Sequence, residues 1–311
     1  MVELVLLLAS IGLLAGIGLG GGGGGEEAEP DLMLFGEGDD ETLEGGGGND
    51  TIDGGPGADF IFGRNGNDDL SGDLGNDTIE GGANNDEIDG GPGEDSLSGG
   101  AGQDTIRGGI EDDTIIGGDN DDDLFGEEGG DLVEGRGGMD EIDGGGGNDS
   151  LRGGSGNDDM VGGLGADTIE GDGGADTLDG RVLVGGADTD TGDTIVGDGG
   201  SDRLLLGDGD LAYGELESGA ADNAADTFVS GDWIGAAAPE IFDYVDETDT
   251  IELFYDPSGP APTVGVTTEV DLGGNTSFAV DLDGDTVLIV RAGAAPGYTL
   301  EPGDIALVPS S

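Results

Sequence analysis

The chain has 311 residues, of which 74 are glycine and only 33% are hydrophobic, so its length does not supply a conventional core. It carries 72 acidic residues against 7 basic ones, a formal net charge of -65, which repels phosphate backbones and anionic membranes, favours multivalent cations and argues against nucleic acid as a partner. Without cysteine there are no disulfides, thiolate catalysis or cysteine-bound zinc, and without histidine no Ser-His-Asp or Cys-His chemistry and no imidazole ligation; oxygen chemistry remains.

Residues 1–25 hold an apolar run, Leu4 to Leu19, followed by the glycines Gly20 to Gly25. As a helix the run would span roughly 24 Å, short of the roughly 30 Å of a bilayer core, so its length suits an export signal better than a full span. Glu3 stands where such signals carry basic residues, and no Arg precedes Arg64. The segment reads as an export or membrane segment, with membrane contact through residues 4–19. Residues 26–35 read as an acidic linker and N-terminal cap, with Leu34 in phase with the aliphatic positions of the repeats that begin at Gly36.

From Gly45 to Asp179 a nine-residue unit, G-G-x-G-x-D-x-U-x with U a large aliphatic residue, repeats fifteen times without insertion. Position one is always glycine. Position six is always aspartate: Asp50, Asp59, Asp68, Asp77, Asp86, Asp95, Asp104, Asp113, Asp122, Asp131, Asp140, Asp149, Asp158, Asp167 and Asp176. Position eight runs from Ile52 to Leu178 as Ile, Leu, Val or Met. So short a fixed period indicates a solenoid, in which x-U-x is a three-residue strand and two units close one 18-residue coil. Asp50 then falls beside Asp68 and Asp59 beside Asp77. An imperfect opening repeat, Gly36 to Glu44, places Glu41 and Leu43 at the aspartate and aliphatic positions. After Asp179 the phase slips, since Asp176 and Asp193 are 17 residues apart, and Arg181 to Val184 reads as a longer strand. The pattern recovers at Asp193 with Ile195 and at Asp202 with Leu204, so the solenoid is expected over 36–206. Position seven holds Thr51, Thr78 and Thr105, but Phe60, Asp69, Glu87 and Asp123 interrupt the series; a solvated surface fits better than a flat threonine array.

Residues 207–311 differ in composition, with aromatics such as Phe228, Trp233, Phe242 and Tyr255 and prolines at 239, 257, 260 and 262. Short strands are predicted at Thr227–Val229, Ile251–Tyr255, Ser277–Leu282 and Thr286–Val290, the last two flanking a hairpin turn at Asp283-Gly284. Asp281 to Asp285 lacks the downstream glutamate of an EF-hand, so the turn reading stands. Trp233 reads as core of a β cap rather than a sugar-stacking residue.

The glycine-rich half of each unit permits backbone conformations that a β-carbon forbids and leaves carbonyl oxygens open beside one carboxylate. Two carboxylates and several carbonyls per coil form the hard-oxygen shell that Ca²⁺ accepts, with a geometry flexible enough for carbonyl ligands. One aliphatic side chain per nine residues cannot offset the backbone entropy of ordering the repeats, and carboxylate repulsion adds to that cost. The ion-free repeats are therefore expected to be disordered and to fold on binding calcium.

On these residues the chain resembles the RTX (repeats-in-toxin) proteins, over Gly36 to about Leu206. The resemblance implies an all-β fold: a parallel β-roll, a right-handed β-solenoid, with multiple Ca²⁺ ions held in the turns. It carries the ligand role onto the position-six aspartates named above and onto Asp193 and Asp202. Asn84, Glu111 and Asn120 depart from the pattern at position four and Glu41 at position six, so those sites are expected to be weaker or distorted. It further implies a secreted or cell-surface protein, exported unfolded by a type I secretion system, with Asp304 to Ser311 similar to its C-terminal signal and 207–311 to its C-terminal strand region. The expected role is calcium-dependent and not enzymatic; no G-x-S-x-G element is present. The alternative is a β-roll carrier with a carbohydrate-binding or hydrolytic role in the C-terminal domain, recognisable by an exposed Trp233 beside converging carboxylates. No extracellular ligand is indicated by the sequence.

Overall fold

In a computed structural model the described residues are 5–8, 29–184, 187–188, 192–214, 225–231, 239–242, 249–255, 264–270, 276–282, 285–291, 300 and 305–309, and all their regular structure is β. The strands form where position seven, eight and nine side chains alternate out, in and out, so that one aliphatic group per repeat turns inward and the next residue to face inward is the position-one glycine. Every position-eight side chain from Ile52 to Leu178 is fully buried. The parallel sheets of a β-roll follow directly, with the 18-residue register expected: Ile52 pairs with Leu70, and Ile61 with Ile79.

The chain packs as two compact units, 1–146 and 147–311. In the first, strands Leu32–Phe35, Thr51–Asp53, Asp69–Ser71, Glu87–Pro92, Thr105–Ile110, Asp123–Glu128 and Glu141–Gly146 form one parallel sheet. Strands Thr42–Gly46, Phe60–Asn65, Thr78–Ala83, Ser96–Ala101, Thr114–Asp119 and Leu132–Gly137 form the other. Leu34 and Leu43 join the buried aliphatic ladder. Within the apolar run, Val5–Leu8 is a strand in parallel register with Leu32–Phe35 rather than part of a helix. The rest of that run lies outside the described residues, and no described helix is long and apolar enough to cross a membrane.

In the second unit the phase slip has a different cause from the expected one. Asp193 follows Asp167 in register, and Asp202 follows Asp176, each across 26 residues instead of 18. The additional residues include a small antiparallel hairpin, Leu183–Val184 with Ala187–Asp188, where a single longer strand was predicted. Parallel pairing then runs on past Leu206. Arg203–Leu205 pairs with Thr227–Gly231, which pairs with Thr250–Tyr255, which pairs with Ile305–Pro309. On the opposite side Thr194–Val196 leads through Leu211–Tyr213 and Glu240–Phe242 to Asp285–Arg291. An antiparallel meander ends that sheet: Asp285–Arg291, Thr276–Leu282 and Val264–Val270. Two phenylalanines, Phe228 and Phe278, join Ile241, Ile251, Leu288 and Val290 in the core of these coils, where the sequence no longer carries the glycine-rich half of the unit. The predicted hairpin is consistent with Leu282 pairing with Asp285, although Asp283 and Gly284, like Trp233, Asp304, Ser310 and Ser311, lie outside the described residues.

Candidate metal centre

Each turn places its aspartate by a main-chain hydrogen bond from the coil before it. The Asp50 N–H donates to Asp68 Oδ1 at 2.7 Å, Asp68 N–H to Asp86 Oδ1 at 2.9 Å and Asp86 N–H to Asp104 Oδ1 at 2.8 Å. A second ladder on the other side joins Asp59 to Asp77, Asp77 to Asp95 and Asp95 to Asp113 at 2.7 to 2.8 Å. The structure thus brings together the neighbours predicted from the spacing. In the second unit the same bonds link Asp149 to Asp167, Asp158 to Asp176, Asp167 to Asp193 and Asp176 to Asp202. All seventeen predicted aspartates, Asp131 and Asp140 included, are at most 3% exposed.

With Oδ1 engaged, the other oxygen defines the site. Oδ2 of Asp50, Asp59, Asp68, Asp77, Asp86, Asp95, Asp104, Asp113, Asp122 and Asp176 is buried without a hydrogen-bond partner, as is Oε2 of Glu41. A buried carboxylate oxygen left in this way is costly unless a cation or water meets it. The surroundings explain the glycine at position one. A methyl group on Gly90 would stand 2.5 Å from Asp95 Oδ2 and 2.6 Å from the Gly108 carbonyl oxygen one coil further on. Carboxylate and carbonyl oxygens therefore converge where any β-carbon would intrude. Among the described residues no three acidic side chains meet at one point, so the donor set is carboxylate plus carbonyl, which suits a hard cation of flexible coordination such as Ca²⁺.

Position four serves the same geometry from the backbone. Gly93 has φ of +153°, and a β-carbon there would lie 1.6 Å from the Gly75 carbonyl oxygen. The three departures adapt: Asn84, Glu111 and Asn120 take φ of 78°, 81° and 79°, in the left-handed region that a side chain can occupy at some cost. At two of them the inter-coil bond is kept, Asn84 N–H to the Ala101 carbonyl at 2.7 Å and Glu111 N–H to that of Glu128 at 2.8 Å. Glu41 also takes its place in the ladder, its N–H donating to Asp59 Oδ1 at 2.7 Å.

Two features escaped the sequence reading. Position five, treated as free, forms a second ladder running the opposite way: Asn67 N–H donates to Asn49 Oδ1, Ala175 N–H to Asn157 Oδ1 and Gly130 N–H to Asp112 Oδ1, at 2.8 to 3.0 Å. The recurrence of Asn and Asp at that position was the available signal. The aspartate ladder also continues beyond Asp202. Asp193 N–H donates to Asp210 Oδ1, Asp202 N–H to Asp226 Oδ1 and Asp226 N–H to Asp249 Oδ1, at 2.9 to 3.2 Å. Here the D-x-U half of the unit survives in Asp226-Thr227-Phe228 and Asp249-Thr250-Ile251 after the glycine half is gone. At Asp210 the Gly207 N–H donates to Oδ2 at 2.6 Å, so a protein donor meets the oxygen that stays open in the repeats.

Burial is the main cause of raised aspartate pKa values. It lifts Asp50, Asp59, Asp77 and Asp176 from 3.8 to about 6, and Asp86, Asp113 and Asp122 to about 7, opposed by the main-chain bond and reinforced by neighbouring carboxylates. These groups hold their protons more tightly folded than unfolded, so their protonation stabilises the ion-free roll. That stabilisation is fully present below the unfolded value near 3.8 and is lost as pH rises through 6 to 7. Metal-free protein followed by circular dichroism is expected to hold a strand spectrum near pH 4 and lose it towards neutrality; a loss on acidification instead would reverse the assignment.

The pattern described as the RTX calcium-binding nonapeptide repeat (4 copies) matches residues 35–70, 62–97, 71–106, 98–133, 134–169 and 153–192. These windows run without a gap from 35 to 192, just over half of the 311 residues. No curated protein matches the chain.

Proposed function

This chain belongs to the RTX calcium-binding nonapeptide-repeat family, and we propose that its position-six aspartates, Asp50 to Asp176 with Asp193 and Asp202, hold the calcium ions that the family's repeats bind. The reading is carried by the buried, unpartnered Oδ2 atoms of the aspartates from Asp50 to Asp122 and of Asp176, set against carbonyl oxygens of the adjoining coil. A bound Ca²⁺ supplies the positive charge that these oxygens lack; the chain's own part is to hold carboxylates and carbonyls at fixed spacing. Isothermal titration of calcium into Asp86→Asn is expected to show at least one ion fewer than wild type. Asp89→Asn, whose carboxylate faces outward, keeps the full count. An unchanged count in Asp86→Asn would remove that residue from the ligand set.

The same residues support a role outside the cell. Extracellular calcium modules bind at about 10⁻⁴ to 10⁻³ M, far above cytosolic levels, so a chain of this kind travels as an unfolded polyanion and folds where calcium is abundant. In this reading it is a secreted or cell-surface, non-enzymatic protein. It leaves by a type I secretion system that reads the C-terminal residues, while the apolar run 4–19 offers an export signal or a membrane contact. Appearance of the protein in the medium only when residues 304–311 are present would support the export route, and secretion without them would exclude it.

A further inference from the structure

The two sheet faces of the first unit differ sharply in charge. Outward from one sheet stand Asp53, Asp69, Glu87, Asp89, Asp123 and Asp143, with Arg107 as counter-charge. On the other, the outer column of position-seven residues carries no charge over six successive strands: Thr42, Phe60, Thr78, Ser96, Thr114 and Leu132, paired side by side in parallel register. Phe60 is 50% exposed and Leu132 42%. In the neighbouring column Phe62 and Ile116 are half-buried. Glu44 and Glu134 are ion-paired to Arg64 and Arg136 at 3.0 and 3.5 Å, and Arg64 also lies over the Phe62 ring; Glu80 is the remaining charge of that column. In a chain of net charge -65, this is a face from which charge has been largely withheld and on which apolar side chains are exposed.

We propose that this face, on strands 42–137, docks a second copy of the chain as a twofold dimer. A second copy is favoured for two reasons. Stacking the uncharged columns turns both acidic faces away from each other, which is the arrangement of least repulsion for two such polyanions. The uncharged column is also self-complementary. About a twofold axis parallel to Ser96–Ala101, Phe60 of one copy stands opposite Leu132 of the other and Thr78 opposite Thr114, while the two Ser96 side chains face each other at the centre. At about the 10 Å of stacked sheets the Phe60–Leu132 pairs make contact on either side of the axis, and the hydroxyls of Thr78, Ser96 and Thr114 face each other between them across a space that water fills. The self-paired part of the column, Phe60 to Leu132, is four strand steps, roughly 19 Å, long, so the interface is smaller than the roughly 800 Å² per partner of a standard one, and the dimer is weak and reversible.

Sedimentation equilibrium of the full chain in saturating calcium, between roughly 5 and 500 μM, where so small an interface dissociates, tests this. Wild type is expected to pass from monomer to dimer across that range. Phe60→Asp with Leu132→Asp raises the dimerisation midpoint by about tenfold or more, a loss of about 1.4 kcal/mol or more, and Thr105→Asp on the acidic face leaves it unchanged. Circular dichroism on the same samples confirms that each variant has folded, so a failure of calcium folding is told apart from a failure of docking. Wild type that stays monomeric throughout, which would leave the face to a different partner, overturns the proposal. So does a dimer that survives Phe60→Asp with Leu132→Asp, or one weakened equally by Thr105→Asp.

Discussion

Chelation of calcium is expected to abolish the strand spectrum of the repeats and to expose the chain to trypsin at Arg64, Arg107, Arg136 and Arg152. With the ion gone, the buried Oδ2 atoms of successive aspartates, such as Asp68, Asp86 and Asp104, face one another's charge with no donor to meet them. The aliphatic ladder contributes only one side chain per nine residues, too little to offset that repulsion and the entropy of ordering glycine-rich turns. Unfolding should be complete over the repeats at neutral pH and reversible on adding Ca²⁺. Mg²⁺ at the same concentration is expected to restore little, because it demands near-ideal octahedral geometry and gives up water reluctantly. A strand spectrum and trypsin resistance unchanged in EGTA at pH 7.5 would refute the coupling.

The second large effect separates two kinds of glycine. Gly90→Ala places a methyl group on Asp95 Oδ2 and on the Gly108 carbonyl, both held by their own coils. It should cost on the order of 3 kcal/mol or more, by overpacking and by displacing a buried carboxylate from its position. Gly93→Ala looks worse by distance, 1.6 Å from the Gly75 carbonyl oxygen. Yet position four has an escape: Asn84, Glu111 and Asn120 swing to φ near 80°, and Asn84 and Glu111 keep their inter-coil bonds. Its expected cost is therefore about 1–2 kcal/mol, that of a left-handed residue. Urea denaturation of both variants in saturating calcium checks the order. Gly93→Ala proving the more damaging would mean that the relaxed turn seen at Asn84 is not open to its neighbours.

How much of this was legible beforehand depends on how local each cause is. The inward aliphatic residue, the outward threonines and acids and the 18-residue pairing of Asp50 with Asp68 all follow from a strict period, because in a solenoid each coil contacts its neighbours in one repeating way. Where the period fails, so does the reading. The 26-residue coil between Asp167 and Asp193 was mistaken for a shortened one, since a hairpin can leave the roll and return at any phase. The continued pairing beyond Leu206 was hidden because Ala212 and Phe228 occupy positions where the pattern calls for a medium aliphatic residue, and no glycine-rich half precedes Asp226 or Asp249.

The amino-acid order by itself was enough for a solenoid of 18-residue coils, its register and the carboxylates brought side by side, because glycine, aspartate and aliphatic residues at fixed intervals admit few backbone paths; the parallel β-roll was implied by the resemblance to the RTX repeats. Only the folded coordinates could decide which carboxylate oxygen is already engaged and which is left open. That depends on main-chain N–H groups brought from 18 residues away. The uncharged column of the sheet face, too, exists only once alternate repeats have been sorted onto opposite sides of the coil.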